Sequence, residues 1–220
     1  MCGRYQAWIE DEELVAIIER EKKGNAARFL MRQEVFPGDE IPVLYGGGYF
    51  LRAKVVRWGY PMVEKRENRT VGLTLAGALS DPAETASQPV GQSDSQPGRK
   101  SSLVINARAE TAMEKRYFRE DVVNRRVAVP TSGYYEWSPE KKKYHIGEGL
   151  VYLAGMTHVF DGEERAVILT TAPTLQIEAI HDRMPLVLGQ HELENWLYDD
   201  YFSREKLKRG NSCQLDAVAV

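Results

Sequence analysis

The chain has 220 residues, 43% of them hydrophobic and 28% charged, with a formal net charge of −3, the composition of a soluble globular protein. That charge excludes nucleic-acid binding through bulk positive charge and leaves room only for a local basic cleft. Two cysteines, Cys2 and Cys213, offer neither a disulfide framework nor a metal cluster, and with no apolar run near the ~20 residues of a membrane span and no signal segment, the expected location is the cytoplasm.

Cys2 follows Met1 directly. Removal of Met1 leaves an α-amine and a thiol on adjacent carbons, a 1,2-aminothiol that no internal cysteine has. With an α-amino pKa near 7.8, roughly one such amine in ten is unprotonated at pH 7, far more than for lysine near 10.4. That amine condenses with an aldehyde, and the thiol then closes a five-membered thiazolidine. The plain alternative is a small second residue behind a start codon.

Leu14, Val15, Ile17 and Ile18 recur at helical spacing, with Gly24 as the stop. Ile41 to Tyr45, a Gly46-Gly47-Gly48 turn and Tyr49 to Trp58 predict a hairpin, with Pro42 placing its first strand at an edge. Ser80 to Ser102, without an aromatic residue and rich in Pro, Ser, Gln and Gly, reads as a mobile insertion at 80–102 within a single domain spanning 1–220. Further strands are predicted at 103–106, 126–129, 134–138, 143–146, 151–158 and 166–171, with a last one near 214–218 closing the sheet. Helices are predicted at 111–118, 174–180, 191–197 and 204–208. The fold class is α+β: a curved, mostly antiparallel, barrel-like sheet flanked by short helices.

Three clusters carry chemistry-bearing side chains. Asn106 and Arg108, near the end of one strand, point to the same side and lead on to Arg116. They suit a small polar substrate and a phosphate; the alternative is a turn cap and a surface pair between Arg108 and Glu110. Glu136 points away from its neighbours Tyr135 and Trp137, and burial against a cleft wall raises its pKa toward neutrality. Otherwise it is a solvated carboxylate between two core aromatics. His181, Asp182 and Arg183, followed by Met184-Pro185, combine a titratable base, a carboxylate and a bidentate donor. Without a substrate they form an ordinary surface salt bridge.

Met1-Cys2-Gly3-Arg4-Tyr5, Arg57-Trp58-Gly59, Asn106 to Thr111, Tyr135-Glu136-Trp137 and His181 to Pro185 stand in an order that resembles the SOS-response-associated peptidase (SRAP) family of abasic-site processing proteins. The resemblance implies covalent capture of abasic sites in single-stranded DNA by Cys2, with possible AP-lyase activity and self-removal of Met1. It implies that Asn106 orients Cys2, that Glu136 is the acid/base group, and that His181 opens the deoxyribose ring. Arg4, Arg108, Arg116 and Arg183 would hold flanking phosphates and Trp58 would contact DNA. No cofactor or metal is implied. The expected partners are single-stranded DNA containing abasic sites and replication-fork proteins, met by a monomer. Tyr60-Pro61-Met62-Val63 replaces the family's further tryptophans, and 80–102 is longer than the family core requires. Two other classes fit parts of the pattern: an N-terminal-nucleophile amidohydrolase, whose downstream Asn-Gly and Gly-Asp signatures are absent, and a non-catalytic single-strand-binding module.

Overall fold

A computed structural model of the chain describes residues 3–7, 11–21, 33–62, 103–211 and 215–220. It opens with β1 (Tyr5–Ala7), α1 (Glu12–Glu21), β2 (Gln33–Val35) and a hairpin of β3 (Glu40–Gly47) and β4 (Phe50–Trp58). Then come β5 (Tyr60–Pro61), β6 (Leu103–Val104), β7 (Asn106–Arg108), α2 (Ala109–Ala112), α3 (Arg116–Asn124), β8 (Arg126–Thr131), β9 (Gly133–Trp137) and β10 (Lys143–Ile146). The long hairpin β11 (Val151–Phe160) and β12 (Glu163–Thr171) leads to α4 (Leu175–Glu178), β13 (Met184–Pro185), β14 (Val187–Leu188), α5 (Leu193–Tyr198), α6 (Asp200–Arg209) and β15 (Ala217–Ala219).

Local chemistry sets several of these boundaries. The Asp11 carboxylate accepts from the Leu14 N–H at 2.8 Å and caps α1, whose Leu14 and Ile18 then face the core. Asp199 caps α6 through the N–H groups of Tyr201 and Phe202, and Gly210, at φ +73°, ends it behind Lys208 and Arg209.

Strands β12, β4, β3, β8 and β11 pair in that order, and β11 pairs back to β12, so the five close on themselves. The closing pair, Arg57↔Arg165 and Ala166↔Trp58, is parallel, as is β7 on β12; the other pairings are antiparallel. Side chains alternate between two buried faces. Along β11, Tyr152, Ala154 and Met156 join a cluster with Leu14, Phe118, Val122, Trp196 and Leu207 from the helices. Leu153, with Val127, Val129 and Ile168, faces a second sheet, β15-β10-β9-β1-β2, through Tyr5, Val35, Tyr134 and Ile146. The α+β, barrel-like expectation holds.

Several details differ. Pro42 is on no edge, since β3 lies between β4 and β8; the β8 ladder is confined to Leu44↔Ala128, so the missing N–H of Pro42 interrupts nothing there. The helix predicted at 111–118 is two, because Lys115 takes an extended backbone and α3 restarts behind it. β15 is an edge strand on β10 and closes nothing. Gly24 and the 80–102 insertion lie outside the described residues. No helix among the described residues is long and apolar enough to cross a membrane.

Candidate active site

β9 sits between β1 and β10, with Tyr5 opposite Tyr134 and Tyr144 opposite Glu136. The Tyr135 N–H donates to the Arg4 carbonyl at 2.9 Å, which carries the β1 ladder toward the amino terminus. The strand starts at Gly133, where φ is +146° and a Cβ would stand 2.6 Å from His145 Nε2 and 2.7 Å from the Ile146 carbonyl, so only glycine fits. From there Tyr134 and Glu136 point to the buried face, Tyr135 and Trp137 away from it. Glu136 is 3% exposed. Burial pushes its carboxyl up to about 7, and the Asp182 charge adds to the rise.

His181 follows α4, with its N–H donating to the Ile177 carbonyl at 2.9 Å. Its Nε2 lies 3.9 Å from Glu136 Oε2. The Arg183 N–H donates to its Nδ1 at 3.0 Å, and Asp182 Oδ1 is 2.9 Å from the same nitrogen. An Nδ1 that accepts from an amide is unprotonated, which puts the neutral ring's proton on Nε2, the atom facing Glu136. Partial burial holds the imidazole below its ordinary value, against the Asp182 charge. Near pH 7 the pair therefore combines a carboxyl about half protonated with a mostly neutral imidazole. The 3.9 Å gap is too long for a direct hydrogen bond between the two groups.

Asn106 sits on β7 opposite Ile168 of β12, half-buried; Arg108 is exposed on the same face, and Ala107 points into the core. The expected shared side is the observed one. β7 lies against the His181 loop because β12 pairs with both: Thr170 opposes Arg108 and Pro185, and Thr171 opposes Met184.

The arginines divide. Arg183 is committed within the protein: its guanidinium meets both Glu110 oxygens at 2.9 Å and the Thr170 carbonyl at 2.7 Å, and it is 14% exposed. Partial burial raises the Glu110 carboxyl, yet the Arg183 hydrogen bonds bring it below its ordinary value overall. The alternative pairing of Glu110 with Arg108 does not occur. Arg4 pairs with Glu34 at 2.9 Å and lies over the Phe36 and Trp137 rings at 4.4 and 4.8 Å, on the side of β9 away from Glu136. Lys143 also reaches Glu34. Arg116 opens α3 and is exposed.

Trp58, expected to contact DNA, is fully buried, with its indole N–H donating to the Ile105 carbonyl at 3.0 Å and its ring 5.6 Å from Tyr5. The alternation of β4 turns Val56 and Trp58 to the core together, so Trp58 is a packing residue. Cys2 and Cys213 lie outside the described residues. Sequence reasoning missed the role of Glu110, the partner that ties the His181 loop to α2, for want of any local sign of a contact 73 residues away. Among the described residues no three His, Cys, Asp or Glu side chains are grouped to hold a metal.

A family model described as SOS response associated peptidase (SRAP) matches residues 1–219. The abasic site processing protein YoqW of Bacillus subtilis is 26% identical over 209 residues, covering 90% of this chain and 80% of that protein. The abasic site processing protein YedK of Escherichia coli is 30% identical over 112 residues, 46% of this chain and 50% of its own. A solved structure from Bacteroides thetaiotaomicron superposes over the whole chain and 92% of its own length, with a TM-score of 0.66 at 20% identity. A phage-related protein of Bordetella bronchiseptica superposes over the whole chain and 94% of its own length, with a TM-score of 0.63 at 19% identity.

Proposed function

This chain belongs to the SOS response associated peptidase family, and on that premise we propose that it processes abasic sites in single-stranded DNA by covalent capture on Cys2. The observation that carries the proposal is the facing pair of Glu136 and His181, 3.9 Å apart, with the carboxyl raised to about 7 and the imidazole lowered. Proton transfer at neutral pH wants groups poised on both sides of it. Continuing the β1–β9 register places Gly3 opposite Glu136, and one Cα–Cα step of ~3.8 Å separates Gly3 from Cys2.

An abasic deoxyribose is mostly a closed hemiacetal. Opening it moves the C1′ hydroxyl proton to the ring oxygen and frees the aldehyde; His181 Nε2–H supports the oxygen as the C–O bond breaks, and Glu136 exchanges the proton. The Cys2 amine adds to the aldehyde, Glu136 protonates the hydroxyl of the carbinolamine, and water leaves as the imine forms. The Cys2 sulfur then bonds to the imine carbon, its proton passes to nitrogen, and a thiazolidine closes. Without that closure the imine is open to β-elimination and strand cleavage, the AP-lyase course. Met1 must be gone first, by self-processing or otherwise. Asn106 orients the reacting groups from β7. Exposed Arg108 and Arg116 supply phosphate contacts, the main source of affinity for an acidic protein on a lesion that has no base to read.

The test is denaturing electrophoresis with a single strand carrying one abasic site. A band that survives heat without borohydride is expected from the wild type and from Cys213→Ser, and not from Cys2→Ala. A stable adduct in Cys2→Ala would sink the proposed chemistry.

A further inference from the structure

Asp121, on the inner face of α3, is a second deeply buried carboxylate, 2% exposed, and the capture chemistry has no use for it. Three side chains converge on it: Arg125 at 2.6 Å, the Tyr60 hydroxyl at 3.3 Å and His158 Nδ1 at 2.8 Å. Burial and the Asp121 charge push the Tyr60 hydroxyl well above its ordinary value, so it stays a donor. A carboxylate only accepts, so His158 Nδ1 carries the proton, and in the neutral ring Nε2 is left as an acceptor. Asp121 is buried while the His158 side chain is 38% exposed, which turns the Nε2 edge outward.

That edge faces a cavity of about 370 Å³ lined by Arg116, Tyr117, His158 and Phe160. Its size falls at the lower end of small-ligand sites, ~300–1,000 Å³. Its walls are aromatic: Phe160 lies 4.6 Å from the His158 ring and 5.0 Å from Tyr60, and Tyr117 lies 6.5 Å from Phe160. Its rim is cationic. Of its lining residues Arg116 carries the charge: it is exposed and forms no ion pair among the described residues, and the nearby Glu120 is taken by Arg125. The cavity wall is tied through Pro61 to β6, the strand before the one that carries Asn106. The Tyr117 hydroxyl donates to the Pro61 carbonyl at 2.9 Å, and Pro61 pairs with Leu103, three residues before Asn106. Exposed Arg108 immediately precedes α2, and exposed Arg116 opens α3.

Flat apolar walls, one outward hydrogen-bond acceptor and a cation at the rim match one class of occupant: a nucleobase whose exocyclic amine meets the imidazole and whose phosphate meets the guanidinium. We propose that this cavity is a stacking subsite for one base of the bound single strand, on the side of the lesion that leaves Asn106 along Arg108 and Arg116. The proposal rests on the reading of single-stranded DNA as substrate. It gives the protein a grip on undamaged strand next to a lesion that offers no base. In this subsite Tyr117 and Phe160 provide the stacking surface, and the Asp121–His158 pair presents the acceptor.

The test uses single strands carrying an uncleavable tetrahydrofuran abasic analogue, with 2-aminopurine placed at successive positions on either side of it. Stacking on an aromatic ring quenches 2-aminopurine. Quenching confined to one or two adjacent positions on one side is expected. Tyr117→Ala should remove it and weaken binding about 5- to 100-fold, the span set by ~1–3 kcal/mol per stacked base. Tyr117→Phe, which keeps the ring and loses the Pro61 bond, should retain both. Phe160→Leu provides a second route to the same loss if the alanine variant folds poorly. The proposal is overturned by binding without quenching at any position, by quenching that survives in Tyr117→Ala, or by equal losses in Tyr117→Phe and Tyr117→Ala. Quenching without any cross-link would count against the capture chemistry alone, and a protein that binds no single strand would overturn both readings.

Discussion

Replacing Glu136 by glutamine should stabilise the protein, and only above acidic pH. The folded-state carboxyl holds its proton up to about 7, whereas the same group in the unfolded chain releases it near 4.5. Between those values the folded protein binds more protons than the unfolded one, so stability falls as pH rises through that window and is level above it. A rise from 4.5 to about 7, at about 1.4 kcal/mol per pH unit, corresponds to about 3 kcal/mol. Glutamine has the shape of the protonated acid and no charge to bury. The difference in unfolding free energy between Glu136→Gln and wild type should therefore grow by about 3 kcal/mol from pH 4 to pH 8. For a chain of this size that amounts to about 6–12 °C in Tm. Urea titrations of both proteins across that range measure it. A difference that does not change with pH would refute the raised carboxyl and with it the proton-transfer role.

Glu110→Gln and Arg183→Gln should each cost about 1–3 kcal/mol of stability, and the double variant little more than either alone, because both break one charge-assisted clamp. The Glu110 carboxyl is held below its ordinary value, so the clamp's contribution should be present above that value and fade as pH falls through the lowered one, a trend that acid-range thermal melts of wild type against Glu110→Gln will follow. Arg108→Gln should reduce the log–log salt slope of single-strand binding by about 0.7 while Arg183→Gln leaves it unchanged, since only the first guanidinium is open to a phosphate; equal slopes would return Arg183 to the DNA. Trp58→Ala should lower stability by about 3–5 kcal/mol, as measured by chemical denaturation, with affinity of the folded fraction for DNA intact.

Much of this was legible in the sequence where the signal is local. The Gly46-Gly47-Gly48 turn announced the β3–β4 hairpin, and the alternation around Glu136 placed that carboxylate on the face opposite Tyr135 and Trp137, as found. What stayed hidden depends on distant partners. β1 and β2 are three residues each, too short for a period-2 pattern, and exist because Tyr5 finds Val35 on one side and Tyr134 on the other. The resemblance put Trp58 on DNA, and nothing near it in the chain revealed Tyr5 or the Ile105 carbonyl. Arg183 carried the right chemistry for a phosphate, yet a carboxylate 73 residues earlier already fills its fork. The aromatic cavity was equally silent, since Tyr117 and Phe160 come from separate elements, 43 residues apart, that meet around Tyr60.

The pairing pattern also sets a timetable. Tyr5 leaves the ribosome 129 residues before its β9 partner Tyr134, and Arg57 waits 108 residues for Arg165 to close the ring. At synthesis rates of ~5–20 residues per second, roughly 6–26 s pass between Tyr5 and Tyr134. Throughout that interval β1 has β2 to pair with but not β9, and His181 is later still. The proposed nucleophile Cys2 is therefore made first and the groups proposed to act on it last, so a nascent chain carries Cys2 without Glu136 and His181. Any chain cut short before residue 163 lacks the strand that closes the ring, whatever the condition of its N-terminus.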